Sequence, residues 1–64
     1  MTAIKDYRIK KGYSQQQLAE LLGTTQAAVA MWESGARFPR TDKLPKLAEV
    51  LNCSVADLFY KARA

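Results

Sequence analysis

The sequence predicts an all-α domain, and three observations support this prediction. The chain has 64 residues, of which 48% are hydrophobic, which is enough for one domain with a small core. Ala, Leu, Gln, Lys and Glu are prominent in it, and no run of alternating β-branched residues occurs. Glycines, prolines and capping residues recur at short intervals. We therefore expect one compact domain of five short helices over residues 1–64.

The first predicted helix runs from about Ala3 to Lys11. Thr2 can cap its N-terminus, and Gly12 follows its last turn as the residue type that most readily ends a helix. Ile4 and Tyr7 lie three positions apart, so they share the face that we expect to pack inward.

The second predicted helix begins after Ser14. The run from Ser14 to Gln17 fits a capping box, in which the serine hydroxyl and the glutamine amide each satisfy a free backbone N–H. Gly23 ends this helix. Its expected core side chains are Leu18, Leu21 and Leu22.

The third predicted helix follows within a few residues. Thr24 or Thr25 can cap it, and it ends near Gly35. Val29 and Trp32 are three positions apart and therefore share its buried face.

The remainder of the chain predicts a loop and two more helices. Residues 36–41 are expected to form an exposed basic loop. A fourth helix follows Thr41 or Asp42 and has Pro45 in its first turn, where proline is tolerated. Its expected core side chains are Leu44, Leu47, Val50 and Leu51. Ser54 caps a fifth helix, whose expected inward side chains are Val55, Leu58 and Phe59.

The second and third predicted helices, at about residues 15–34, are joined by a turn that holds one glycine. This is the helix-turn-helix pattern. Ala19 is the small residue on the second helix that would let the third helix cross closely. Because ordinary all-α proteins also contain such helix pairs, the spacing alone leaves both interpretations open.

Charge and composition restrict the possible functions. Ten Lys and Arg against six Asp and Glu give a net charge of +4, which favours a nucleic-acid partner. There is no histidine, and the one cysteine, Cys53, cannot form an internal disulfide, so the usual metal sites and catalytic sets are missing. We expect neither an enzyme nor a bound metal or cofactor. The sequence shows no membrane span and no signal peptide, so the cytoplasm is the default location.

The amino-acid sequence of the helix pair and of the segments around it resembles that of the phage repressor and Cro (XRE) family of helix-turn-helix proteins. The resemblance covers about residues 4–60 and rests on Ser14-Gln15-x-x-Leu18-Ala19-x-x-Leu22-Gly23-Thr24-Thr25-Gln26, Val29, Trp32-Glu33-x-Gly35, Leu44-Pro45-x-Leu47-Ala48 and Leu51-x-Cys53-Ser54-Val55-x-x-Leu58. It implies a five-helix, lambda-repressor-like domain whose third helix enters the DNA major groove. It also implies a sequence-specific transcriptional regulator, in particular a repressor of phage or prophage type. The short chain resembles a stand-alone Cro-type repressor more than a two-domain one, and a fragment of a two-domain repressor is the alternative.

A face of the third helix is then expected to read bases. Gln26 is its one side chain able to bind a base bidentately, and an amide matches N6 and N7 of adenine. The expected base-reading residues are Thr25, Gln26, Ala27, Ala30 and Met31. In similar repressors, a glutamine matching Gln15 contacts phosphate and supports the reading glutamine. Unlike many relatives, this chain has alanine at positions 27, 28 and 30, so its reading surface is poor in hydrogen-bonding groups.

Basic residues before and after the helix pair are candidates for phosphate contacts, which fix register without reading sequence. With Gln15, the candidates are Lys10, Lys11, Arg37, Arg40 and Lys43. The resemblance further implies a partly buried ion pair between Arg8 and Glu33 that ties the first helix to the third.

One such domain contacts few base pairs, so we expect a homodimer on a palindromic operator of double-stranded DNA. Phe59 and Tyr60 are candidate dimer contacts. An antitoxin-type module, which binds a toxin partner as well as its own operator, remains the alternative.

Overall fold

A computed structural model describes residues 3–59 as four α-helices and two short 3₁₀ helices. The α-helices are α1 (Ile4–Lys11), α2 (Gln15–Leu22), α3 (Gln26–Ser34) and α4 (Leu44–Leu51). The 3₁₀ helices are Thr41–Lys43, which leads directly into α4, and Ala56–Phe59. The all-α class and the helix-turn-helix pair are thus confirmed. The fifth predicted helix is instead the 3₁₀ helix Ala56–Phe59. Ser54 and Asp57 exchange two hydrogen bonds at its start, so the expected cap is present.

The four α-helices and the 3₁₀ helix Ala56–Phe59 share one core. Its largest fully buried side chains are Ile4, Leu18, Val29, Leu47, Leu51 and Leu58. Ala19 is also fully buried, and α2 and α3 pack closely against each other. The absence of a larger side chain at this position is what permits the close approach.

Three expected core positions were wrong. Leu21 is 47% exposed, because α2 turns only Leu18, Ala19 and Leu22 towards the core. Val55 and Phe59 are exposed as well. A 3₁₀ helix of one turn has a narrow inner face, and here Leu58 occupies it.

Helix ends follow the sequence signals closely. Gly12, Gly23 and Gly35 end α1, α2 and α3 in the left-handed conformation, with φ of 81°, 69° and 87°. Asn52, at φ 59°, does the same for α4. Pro45 lies in the first turn of α4, as expected.

The start of α1 is held by tertiary structure. Its N-cap is Ala3, which provides no side-chain hydrogen bond, and the expected cap Thr2 lies outside the described residues. The backbone N–H of Ala3 instead donates to the carbonyl of Leu58 at 3.1 Å. This bond joins the two ends of the described chain. Over residues 3–59, every helix is too short or too polar to cross a membrane.

Candidate nucleic-acid interface

Hydrogen-bonded caps fix the residues at which α2 and α3 begin. At the start of α2, Ser14 Oγ accepts from the backbone of Gln17 at 3.0 Å, and Gln17 Oε1 accepts from the backbone of Ser14 at 2.8 Å. At the start of α3, Thr25 Oγ1 accepts from the backbone of Ala28 at 3.1 Å. These caps set the register of both helices, so the direction in which the α3 side chains project is determined locally.

α3 has two chemically different faces. Val29 and Trp32 are buried in the core. The five expected base-reading residues lie outside it: Ala30 is half-buried, and Thr25, Gln26, Ala27 and Met31 are exposed. None of these five side chains carries a charge, and apart from Thr25 and Gln26 they are apolar. Such a surface can approach base edges closely without a repulsive charge, and its one long amide belongs to Gln26.

Arg8 and Glu33 form an ion pair between α1 and α3. Arg8 Nε donates to Glu33 Oε2 at 2.5 Å and Nη2 donates to Oε1 at 3.2 Å. The third guanidinium nitrogen, Nη1, donates to the carbonyl of Tyr13 at 2.8 Å. The side chains are only 11% and 5% exposed. The pair therefore fixes the end of α1 against the second half of α3.

Gln15 connects this ion pair to the outer face of α3. Its Nε2 donates to Glu33 Oε1 at 3.0 Å, and its Oε1 accepts from Gln26 Nε2 at 3.3 Å. The sequence suggested Gln15 beside Gln26, but nothing in the spacing of Gln15 and Glu33 indicated that they are bonded. The contact depends on how α2 crosses α3, which is a tertiary feature.

The candidate phosphate ligands divide into two groups. Lys10 and Lys11 are exposed at the end of α1, and the ammonium of Lys10 lies 5.7 Å from the centre of the Tyr7 ring. Arg37, Arg40 and Lys43 instead share a cavity of about 180 Å³ beside α3, whose other lining residues are Thr24, Ala28, Met31, Trp32 and Phe38. The second group therefore offers concentrated positive charge next to the outer face of α3.

Two of these cations have protein partners that the sequence did not suggest. Lys43 Nζ donates to the carbonyl of Leu22 at 3.2 Å, so this lysine caps the C-terminus of α2. Arg40 lies 3.9 Å from Asp42, with both side chains largely exposed. Such an exposed pair is weak and leaves Arg40 able to contact an external anion.

Phe38 and Phe59 form a second exposed feature that sequence analysis recognised only in part. Their rings are 6.1 Å apart at the centroids and tilted by 51°. They are 59% and 40% exposed. The sequence signal for this aromatic pair was Phe38, an apolar residue within a loop that is otherwise basic. Tyr60, the other expected dimer contact, lies outside the described residues.

Cys53 is half-buried, and its chemistry is that of a packing residue. Burial, followed by the negative charge of Asp57, raises the pKa of its thiol. The thiol is therefore protonated at neutral pH, whereas a nucleophilic cysteine needs the thiolate.

Comparisons with known proteins agree with this geometry. Residues 4–58 match the family model described as Helix-turn-helix, so the chain belongs to this family of DNA-binding transcription regulators. An uncharacterized HTH-type transcriptional regulator of Archaeoglobus fulgidus is 33% identical over 91% of this chain and 83% of its own length. The competence pilus inhibition repressor of Acinetobacter baylyi is 33% identical over 94% of this chain and 54% of its own.

Solved structures show the same arrangement. SinR, the master regulator for biofilm formation, solved in complex with DNA, matches with a TM-score of 0.75 and 36% identity over 84% of this chain and 90% of that chain. A structure from Bacteroides fragilis matches with a TM-score of 0.81 and 31% identity, over 91% of this chain and 94% of that chain. The protein is accordingly a helix-turn-helix transcription regulator that binds DNA.

Proposed function

We propose that this regulator is a repressor that inserts α3 into the major groove and reads its operator with the outer face of that helix. The observation that carries the proposal is the uncharged outer face of α3, where Gln26 is hydrogen-bonded to Gln15 and so held ready for a base. The cytoplasm is its proposed location, because the similar regulators come from bacteria and archaea.

Base reading is assigned mainly to Gln26. Its amide can donate to N7 and accept from N6 of adenine, a bidentate contact that discriminates between base pairs. Thr25, Ala27, Ala30 and Met31 supply apolar contacts suited to thymine methyl groups. Because so few of these groups form hydrogen bonds, sequence-dependent DNA shape contributes the remaining specificity.

Phosphate contacts are assigned to residues on both sides of α3. Gln15, at the first turn of α2, can bind a phosphate together with the free backbone N–H groups of that helix start. The cationic candidates are Lys10, Lys11, Arg37, Arg40 and Lys43. Lys43 has two remaining ammonium protons beyond the one that caps α2.

The operator is proposed to be palindromic and bound by a homodimer. Support comes from the small size of the domain, with a radius of gyration of 10.4 Å, since specific binding by such domains uses two half-sites one helical turn apart. The exposed rings of Phe38 and Phe59 are the proposed contact between the two copies.

An antitoxin-type role is the second candidate. It would require a further protein-binding surface, and one observation favours it. The exposed Leu21 lines a cavity of about 310 Å³ with Tyr13, Gln17 and Glu20, on residues that the DNA-binding proposal does not use. A toxin that co-purifies with the chain and is lost on Leu21→Lys substitution would favour this role.

Selection of bound sequences from random duplex DNA, repeated at two salt concentrations, tests the main proposal. A palindromic motif with a strong salt dependence of affinity supports it. Binding without any enriched motif at both salt concentrations would overturn sequence-specific reading by α3.

A further inference from the structure

We propose that Glu33 is a positioning residue for base recognition, and that it makes Gln26 select adenine and reject guanine. It acts through Gln15, along the chain of hydrogen bonds from Glu33 to Gln15 to Gln26. The inference rests on the proposed function, in which Gln26 reads a base in the major groove.

The charge of Glu33 determines which atoms donate and which accept in these hydrogen bonds. Its carboxylate is almost fully buried and paired with the guanidinium of Arg8, which is always charged. An ionised carboxylate can only accept hydrogen bonds. The group of Gln15 that lies 3.0 Å from Glu33 Oε1 must therefore be the amide nitrogen, Nε2.

The orientation of Gln15 then fixes that of Gln26. With Nε2 directed at Glu33, the amide oxygen of Gln15 is the atom that faces Gln26. An amide oxygen only accepts, so Gln26 must present its nitrogen, which lies 3.3 Å away. Flipping either amide would bring two acceptors or two donors together. The negative charge of Glu33 thus determines which amide atom Gln26 directs at Gln15 and which atoms it leaves for DNA.

This polarity restricts what Gln26 can recognise. One of its two N–H groups is used by Gln15, which leaves one N–H donor and the carbonyl acceptor for DNA. Adenine presents an acceptor at N7 and a donor at N6, which match this pair. Guanine presents two acceptors, N7 and O6, and would need two donors. A free glutamine amide could supply both donors, whereas the oriented amide of Gln26 cannot.

The test compares two operators that differ only at the position where Gln26→Ala abolishes the base preference, with adenine in one and guanine in the other. For the unsubstituted protein, the ratio of dissociation constants should favour adenine by about 10- to 100-fold, the range for one bidentate base contact. Gln15→Met removes the link and keeps the side-chain length, so the ratio should fall by about tenfold. Loss of a phosphate contact by Gln15 weakens both operators alike and leaves the ratio unchanged.

Gln16→Met is the matched control. Gln16 is the next residue on α2, is exposed, and donates only to Glu20 at 3.1 Å, so its substitution should leave the adenine-to-guanine ratio unaltered. Gln15→Met preserves the Arg8–Glu33 pair, and a melting temperature close to that of the Gln16→Met protein verifies that the fold is intact. Glu33→Gln, checked for folding by the same melting measurement, removes the charge and should lower the ratio as well.

The outcomes distinguish a failure of the Glu33 role from a failure of the Gln26 role. If Gln26→Ala abolishes the base preference and Gln15→Met leaves the ratio unchanged, the role of Glu33 is wrong while Gln26 remains the reader. A lowered ratio in both folded proteins, Gln15→Met and Glu33→Gln, supports the inference. A lowered ratio in Gln15→Met alone shows that Gln15 orients Gln26 without Glu33. If Gln26→Ala leaves the selected motif unchanged, the reading role itself fails. A Gln26-dependent preference for guanine would show that the amide of Gln26 is not oriented by Gln15 and Glu33.

Discussion

Arg8 and Glu33 join α1 to α3 across 25 positions of sequence, with two hydrogen bonds between the guanidinium and the carboxylate. Glu33→Ala leaves the Arg8 charge in a site where its side chain is 11% exposed. We expect this substitution to lower the free energy of unfolding by about 3 kcal/mol. Urea denaturation followed by circular dichroism measures the change. Equal stability of the variant and the unsubstituted protein would show that the pair has no structural role.

The double variant Arg8→Met, Glu33→Met provides the control for this pair. Replacing both charges by apolar side chains of similar length removes the unpaired charge, so much of the lost stability should return. The comparison is with the single variants Arg8→Met and Glu33→Met. If the double variant loses more unfolding free energy than the sum of their losses, the loss reflects packing defects and not an uncompensated charge.

Gln26→Ala should relax base preference at one position of each half-site. Loss of a bidentate amide contact costs about 1–3 kcal/mol of discrimination. Competition binding with operators that carry each of the four bases at that position measures the effect. Gln16→Ala, on the exposed side of α2, is the comparison and should retain the full preference.

Arg40→Ala should weaken binding to all DNA sequences by a similar factor, since a phosphate contact carries no sequence information. The slope of log affinity against log salt should become shallower by about 0.9. Affinities of specific and random duplexes at several salt concentrations test both statements. A loss confined to the specific operator would contradict a phosphate role.

Phe59→Ser should reduce cooperative binding to two half-sites. The exposed rings of Phe38 and Phe59 provide an apolar patch that only a second copy would cover in the proposed dimer. Sedimentation of the protein on full and half operators gives the stoichiometry. Ile9→Ser, at an apolar residue on α1 that is 56% exposed against 40% for Phe59, should leave it unchanged. Equal losses in both variants would argue against this interface.

Stability should decrease at alkaline pH because of Cys53 and Tyr7. Burial and the nearby charge of Asp57 raise the pKa of both groups in the folded protein, from ordinary values of 9.0 and 10.0. The folded state therefore holds protons that the unfolded state releases, and the unfolding free energy falls as pH rises above about 9. Denaturation curves from pH 7 to 11 should show a smaller decrease for the double variant Cys53→Ala, Tyr7→Phe.

Local signals in the sequence were sufficient for most of the fold. The Ser14 capping box, the glycine helix ends and the position of Pro45 depend on neighbouring residues only, and the structure has all of them. The exposure of Leu21 could not be predicted in this way, because an amphipathic stripe does not reveal which of its edges a neighbouring helix covers.

The candidate site, too, could be predicted only where it depends on residues close together in sequence. Gln26 could be placed on the outer face of α3 from spacing alone, whereas the contact of Gln15 with Glu33 and the cap that Lys43 provides for Leu22 both join elements distant in sequence. Propensity and periodicity carry no information about such contacts. They arise from how α2 packs against α3 and against the start of α4.

The two faces of α3 divide folding from recognition within nine residues. Val29 and Trp32 hold the helix in place, while Ala27 and Ala30 contribute little to the core. New side chains at the alanine positions could therefore give the helix different operators at small cost in stability. A single inherited scaffold of this kind can diversify into regulators of unrelated genes through a few substitutions.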